Sequence, residues 1–538
     1  MKKIISLILA VTMLFSVVML TSCGSKEPTK FESGEAHLEY VANKEVKKLN
    51  AEALKDYKTI EEFDRKVEAD VKISVGSSLI SLLSRIPNFD MGGLDLSFVK
   101  SLGLKSQLNV KEKQLGEKYA LSFNDVELVS ADLFADLVKN EIAARIPMLA
   151  SDWIELPTDK ISDILGGNSR IQLPTGFENV NVTLPDKETL EKLIDRYVGA
   201  VLGEIKNVVE GEEERQMSDE TVKFVTVSFE LDKAAVTAIA KKVLTTLKTD
   251  EDVKKIVEGA AKGETLTEDP YKQFTEELDK ALKKLDGEKE DKDEKPFTAA
   301  VKIYTDKENA IKGAALAVKN DGRTTEFSIL CTEKNDRFLM NADFTERESE
   351  NSSQTVSVVA DGKKSNGKLT SDFVVSYNGE KVLTLKVENF DTEAIKNGVF
   401  NGKISLGVGD VLNLAKKAGM SGDEMALASL LLGGMTLTAE GTGTKENRTL
   451  RCALSTSDGE LITVVANIKQ GPADPIEAVT EKKSLEDVTK NLDPQALLNT
   501  LSEKLKEAGV PENILSSIPM LLSGFGGASA GGDVDYEF

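Results

Sequence analysis

The chain predicts an α+β protein built on a long curved antiparallel sheet, with amphipathic helices packed on it. Two patterns predict this class. From Phe297 to about Ile468, short apolar–polar alternations recur with polar or glycine-bearing turns between them, the period-two signature of successive hairpins. Before Phe297, alternating strands are interleaved with segments whose apolar residues recur at three- and four-residue spacing, the stripe of a helix with one buried face. A sheet of that length must cover an apolar face, so it curls on itself, takes helices against it, or both.

The first element is an N-terminal apolar run. Lys2 and Lys3 precede an uncharged stretch over residues 4–20, and Leu20, Thr21, Ser22 and Cys23 follow. The run is broken by Ser6, Thr12 and Ser16 and has no stop-transfer flank, so it reads as a cleaved signal peptide over residues 1–22. The four residues ending at Cys23 resemble the lipobox of bacterial lipoproteins. That resemblance implies a diacylglycerol on the Cys23 thiol, cleavage just before it, and palmitate-type acyl chains anchoring the mature protein to the outer side of the cell membrane. Two or more acyl chains hold stably, since each buried methylene contributes about 0.8 kcal/mol. Residues 23–36 are polar and turn-rich and are expected to form a tether.

Residues 67–75 alternate Val67, Ala69, Val71, Ile73 and Val75 with polar partners, a half-buried strand, and 104–112 and 118–129 repeat the pattern. Ser130 is expected to cap a helix carrying Leu133, Phe134, Leu137, Val138 and Ile142. A second helix starts at Asp186, a strand spans 222–231, and Asp232 and Asp250 cap two more helices. Residues 270–285 form another, with Tyr271, Phe274, Leu278 and Leu282 on one side. This first lobe is expected over 37–285. The run 286–296 is charge without core, so it reads as a linker. Its lysines interleave the acids and no glycine follows in the right place for a calcium loop, so no metal is expected there.

The meander lobe is expected over 297–470, interrupted by a helix at about 409–433. A helical segment follows over 471–523, with Gly509 stopping a helix at 494–508, and a glycine-rich tail over 524–538. Once Cys23 carries lipid, Cys331 and Cys452 remain, both on apolar strand positions. They either pair as a disulfide, which an extracytoplasmic address permits, or stay as buried thiols acting as small hydrophobes.

The formal charge of −22 disfavours nucleic acid and anionic lipid surfaces as partners. The chemistry expected is sparse. His37 is the one histidine and stands near the tether, which is a poor place for a Ser-His-Asp or Cys-His site and makes a histidine-pair zinc site impossible. Phosphate-cradling and nucleophile-elbow motifs are missing, and Ser365-Asn-Gly-Lys368 reads as a hairpin turn. No catalytic residue, cofactor or metal is expected.

Around Trp153, Ile146-Pro-Met-Leu-Ala-Ser-Asp-Trp-Ile-Glu-Leu-Pro157 looks like a phrase of Gram-positive lipoproteins. The long helix, valine-rich strand and Asp-capped helix that follow are similar in rhythm to the half-barrels of LolA and mycobacterial LppX, over residues 65–260. The resemblance implies a concave apolar surface able to shelter acyl chains. Trp153 itself is expected to be a core anchor. Two functions follow as expectations: a non-catalytic structural or interaction module with a protein partner in the envelope, or a carrier that binds a lipid or another apolar ligand on its sheet.

Overall fold

The computed structural model describes residues 30–54, 64–79, 97–136, 138–139, 141–156, 185–260, 269–287, 297–349, 352–410, 422, 433–491 and 493–516. Cys23, the signal segment, the tail 524–538 and nearly all of the linker and of the 409–433 segment lie outside them.

Among the described residues the first element is helix α1 (Gly34–Ala53), followed by strands β1 (Arg65–Val75), β2 (Ser101–Lys111), β3 (Gln114–Phe123), β4 (Val126–Asp136), β5 (Glu141–Arg145) and β6 (Trp153–Glu155). Helix α2 (Lys187–Leu202) leads to β7 (Val209–Met217) and β8 (Glu220–Asp232), then to α3 (Lys233–Thr249), α4 (Glu251–Ala260) and α5 (Pro270–Gly287). Asp186 and Asp232 cap α2 and α3 by accepting the backbone N–H groups of Thr189 and Ala235, which satisfies donors the helix leaves open.

The meander then runs through β9 (Thr298–Thr305), β10 (Ile311–Asn320), β11 (Arg323–Lys334), β12 (Arg337–Ser349), β13 (Ser352–Ser365), β14 (Lys368–Tyr377) and β15 (Glu380–Asp391). The short helix α6 (Thr392–Lys396) precedes β16 (Gly402–Gly407). Last come β17 (Thr436–Gly443), β18 (Asn447–Thr456), β19 (Gly459–Gly471), β20 (Lys482–Lys483) and helices α7 (Leu485–Lys490), α8 (Pro494–Glu507) and α9 (Glu512–Leu515). Many hairpins close through two residues that both have positive φ, such as Asn366-Gly367 (51° and 75°) and Asn378-Gly379 (50° and 81°). That backbone matches the twist of the strands it joins. Ser365 and Lys368 therefore flank a hairpin turn, as their spacing suggests.

The fold is α+β and dominated by a long curved antiparallel sheet, in two compact units that the chain builds discontinuously. The first comprises residues 1–62 and 179–433, the second 63–178 and 434–538. In the first unit β7 through β16 pair antiparallel in chain order. Its core is the apolar face at one end of this sheet, where Val227, Leu231, Ala299, Ile303 and Leu316 meet Leu38 and Val41 of α1 and Val236 of α3. On the opposite face, Phe224, Tyr304, Leu330, Leu339 and Met217 form a smaller cluster.

In the second unit the strands run β17-β18-β19-β1-β2-β3-β4-β5-β6, all antiparallel, and β20 adds to β6 in parallel. The join between β1 and β19 links residues almost four hundred positions apart, with Ile73 opposite Val464.

Three sequence expectations are corrected. The division at 286–296 does not separate the units, because β1–β6 pair with strands from the far end of the chain rather than with the elements that follow them. The segment after Ser130 is no helix: it completes β4 and turns into β5, because strand neighbours on both sides supply its backbone partners and override the helical spacing. The tether is shorter than residues 23–36, since α1 begins at Gly34 and buries Leu38 and Val41.

Candidate functional site: an open apolar sheet face

Directly opposed residues of neighbouring strands share one face of a sheet, so the pairing register maps each face row by row. In the second unit one face is almost wholly apolar. One row crosses seven strands as Gly441, Leu450, Ala466, Val71, Leu104, Leu121 and Val129. The next row is Ala439, Cys452, Val464, Ile73, Leu102 and Phe123, and beyond it stand Leu437, Leu454, Ile462 and Val75. At ~4.8 Å between strands, the longest row measures about 29 Å.

Most of this face is not filled, although Phe98 packs on Phe123 at its β3 end, with ring centroids 6.2 Å apart. Apart from Gly441, every residue in these rows is half-buried or exposed, and Ile73, Leu102, Leu104, Leu121 and Leu437 are 38%, 44%, 44%, 43% and 46% exposed. Covered positions lie on the other face instead: Ala453, Thr463 and Ser101 are buried there. On that side Asn109 exchanges two hydrogen bonds with the backbone of Asp474, at 2.9 and 3.0 Å. Helix α8 runs beside β4, where Lys504 Nζ donates to the Leu128 carbonyl at 3.1 Å and Asn124 Nδ2 donates to the Ala508 carbonyl at 2.7 Å. Alternation thus marks the apolar face correctly, yet that face is the one left open to solvent. A contiguous apolar surface of this kind is unusual on a soluble body unless something covers it in use.

Toward one end of the strands polar residues enter the same face: Arg448, Ser106 and Tyr119 share a row with Ile468, Ala69 and Ala131, and Gln470, Glu117 and Arg65 stand further on among Val67, Leu108 and Val110. Tyr119 is hydrogen-bonded to Glu117, and this bond together with burial pushes its hydroxyl up to about 12. The first unit has similar apolar rows, for example Phe229, Val301, Leu316, Phe327, Phe344, Val356 and Tyr377. Helices cover the β8–β10 end of these rows, and Phe344 on β12 is exposed.

The remaining sequence candidates fall elsewhere. His37 is not loose beside the tether: it is 3% exposed, with Nδ1 2.8 Å from Glu210 Oε1 and Nε2 3.1 Å from Asn309 Oδ1. Phe31 stacks on its ring at 4.2 Å between centroids. The residue pins α1 to β7 and to the turn before β10, a role the sequence did not reveal because its hydrogen-bonding partners Glu210 and Asn309 are far from it in the chain. Cys331 and Cys452 are free thiols, so the disulfide alternative fails, and the buried alternative holds for Cys331 only. Burial pushes the Cys331 thiol up to about 12, which keeps it protonated and inert. Cys452 is exposed because it sits on the open face. Trp153 is half-buried beneath the Arg145 guanidinium, 5.0 Å from its ring centre, and Ile154 is the buried residue of that strand.

Sequence reasoning missed β7, whose glutamates conceal a strand. Arg337 next to it gathers Asp219, Glu220 and Asp361, and hydrogen bonding to Arg337 holds Asp361 below the usual carboxylate range. Arg337 and Glu220 also line a shallow cavity of about 170 Å³, together with Lys223, Lys334, Thr332 and Leu339. Among the described residues no group of acidic, histidine or cysteine side chains is arranged to hold a metal, and no helix is long and apolar enough to cross a membrane.

The fold and this face define an α+β protein with an uncovered apolar sheet surface. Comparison with known proteins adds little: no family model matches the chain, and no curated protein matches it. Among solved structures it is similar to the Salmonella typhi OmpF complex with daunomycin at 6% identity, over 76% of this chain and 97% of that one, with a TM-score of 0.13. A likeness of that size carries no argument.

Proposed function

We propose that the protein is an exported lipoprotein, held at the outer side of the cell membrane through Cys23, and that the open face of its second unit binds the acyl chain of a lipid. The observation that carries the reading is the unbroken apolar row from Leu450 to Val129, with leucines more than two-fifths exposed at its centre. An extended acyl chain of sixteen to eighteen carbons has a length of roughly 20 Å, so it lies within that row, which measures about 24 Å from β18 to β4. Water released from such a face contributes about 25 cal/mol per Å² of apolar surface covered. The protein acts without catalysis, by shielding the chain.

The same openness favours a second reading. A face that is a surface rather than an enclosed cavity also suits a partner protein of the envelope, docked by apolar contact. Lipid extraction followed by mass spectrometry of the purified protein separates the two. Co-purifying or added lipid in stoichiometric amount supports the carrier; lipid-free protein that captures a defined envelope partner supports the module. The anchor is tested separately by Cys23→Ser. Processing and membrane retention are lost if the thiol carries the lipid, and unchanged retention rejects the anchor.

A further inference from the structure

We infer that the lipid taken by the open face has two acyl chains, laid side by side across the strands; this rests on the lipid-binding reading above. The observation is where the exposure falls. Ile73 and Leu102, opposed on β1 and β2 in the row of Cys452, are 38% and 44% exposed, and Leu104 and Leu121, opposed on β2 and β3 in the row of Leu450, are 44% and 43% exposed. The two rows are neighbours, two residues or about 6.8 Å apart along the strands. Neither is closed over as core while the other stays open. The shorter of them still runs about 19 Å from β17 to β2, up to the point where Phe98 packs on Phe123. On the β19–β1 pair the apolar band continues past both rows, to Ile462 and Val75 on one side and to Ile468 and Ala69 on the other.

A single chain does not cover both rows. Carbon atoms gain contact only out to about 4 Å, so a chain over one row leaves the other in water. A chain in the furrow between them touches only their facing flanks. Two chains packed against each other cover both rows, and their outer flanks rest on the apolar residues that continue the band on either side. Linkage then favours one two-chained molecule over two separate ones. Once the first chain is seated, the second binds without a further loss of translational freedom, because its effective concentration is already high.

The test uses the full mature chain, stripped of lipid, and two probes with the same headgroup and chain length, sixteen-carbon lysophosphatidylcholine and dipalmitoylphosphatidylcholine. Native mass spectrometry counts the bound molecules. The expected result is two of the single-chained lipid per protein at saturation but one of the two-chained lipid, which displaces both of the former. Two measurements place the lipid on the face. Leu102→Ser with Leu104→Ser, one in each row, weakens both probes by about tenfold or more, with circular dichroism confirming the fold. In the unsubstituted chain, either probe slows maleimide labelling of Cys452, the exposed thiol of the first row, by about tenfold, since reaction follows exposure. Saturation by one lysophosphatidylcholine, or a dipalmitoyl lipid that leaves one in place, overturns the two-chain assignment and leaves lipid binding standing. Counts that ignore the two serines, with Cys452 labelled as fast as before, overturn both, as does binding of neither probe.

Discussion

Replacing Leu104 with serine separates a binding face from a hydrophobic core. Leu104 stands mid-row between Val71 and Leu121 and is 44% exposed. Fully burying a leucine is worth about 1.5–3 kcal/mol, so the part still in contact with water represents about 0.7–1.3 kcal/mol that a ligand gains on covering it. Leu104→Ser therefore weakens binding of a fluorescent sixteen-carbon fatty acid by about three- to tenfold, at 1.4 kcal/mol per decade. Leu102→Ser in the same chain multiplies the loss to between about tenfold and a hundredfold. Stability responds differently. A core leucine cut back costs 2–5 kcal/mol, whereas a side chain already nearly half in water, on a face with few neighbours above it, costs at most about 1 kcal/mol. Urea unfolding and fatty-acid titration on the same samples give both numbers. A loss of 3 kcal/mol or more in stability with unchanged affinity would mean that the face is ordinary core, and the reasoning would fail.

Other side chains make independent predictions. Asp250 lies between α3 and α4, where it accepts from Tyr197 Oη at 3.0 Å and from the backbone N–H groups of Asp252 and Val253, and pairs with Arg196. Burial pushes its carboxyl up, but Arg196, Tyr197 and the two N–H groups outweigh that and hold it below the usual carboxylate range. Its contribution is complete above the unfolded carboxylate value near pH 4 and disappears as pH falls through the lower folded value. Asp250→Asn costs about 2–3 kcal/mol at pH 7, and urea titrations from pH 7 to pH 2 show the gap between the two proteins closing at the acid end. His37→Ala strips Glu210 and Asn309 of their shared partner; it costs about 1–3 kcal/mol, and hydrogen exchange registers it first in residues 34–53. Lys113 occupies the β2–β3 turn at φ 66°, so Lys113→Gly raises stability by about 1 kcal/mol, read as a higher urea midpoint.

Much of this architecture is legible in the residues because local rules govern it. The hairpins of the meander announce themselves through Asn-Gly and Asp-Gly pairs, and α2 and α3 through their aspartate caps. What escapes is set by distant partners. The stretch after Ser130 has helical spacing and becomes strand because β3 and β5 flank it. Nothing in the local sequence of β1 indicates that β19 lies beside it, so the discontinuous units and the seven-strand apolar row appear only in three dimensions. The apolar face was legible as alternation, but alternation does not say whether a face is covered. His37 was misjudged for the same reason, since Glu210 and Asn309 reach it from far along the chain.

Native mass spectrometry of the mature protein, recovered from its own membrane under gentle conditions, tests the central claim most directly. Lipid shielding at the second unit predicts a bound species of lipid mass at about one per protein, displaced when Leu102 and Leu104 are both serine. A protein that carries no lipid, and takes none when sixteen-carbon amphiphiles are supplied, contradicts it.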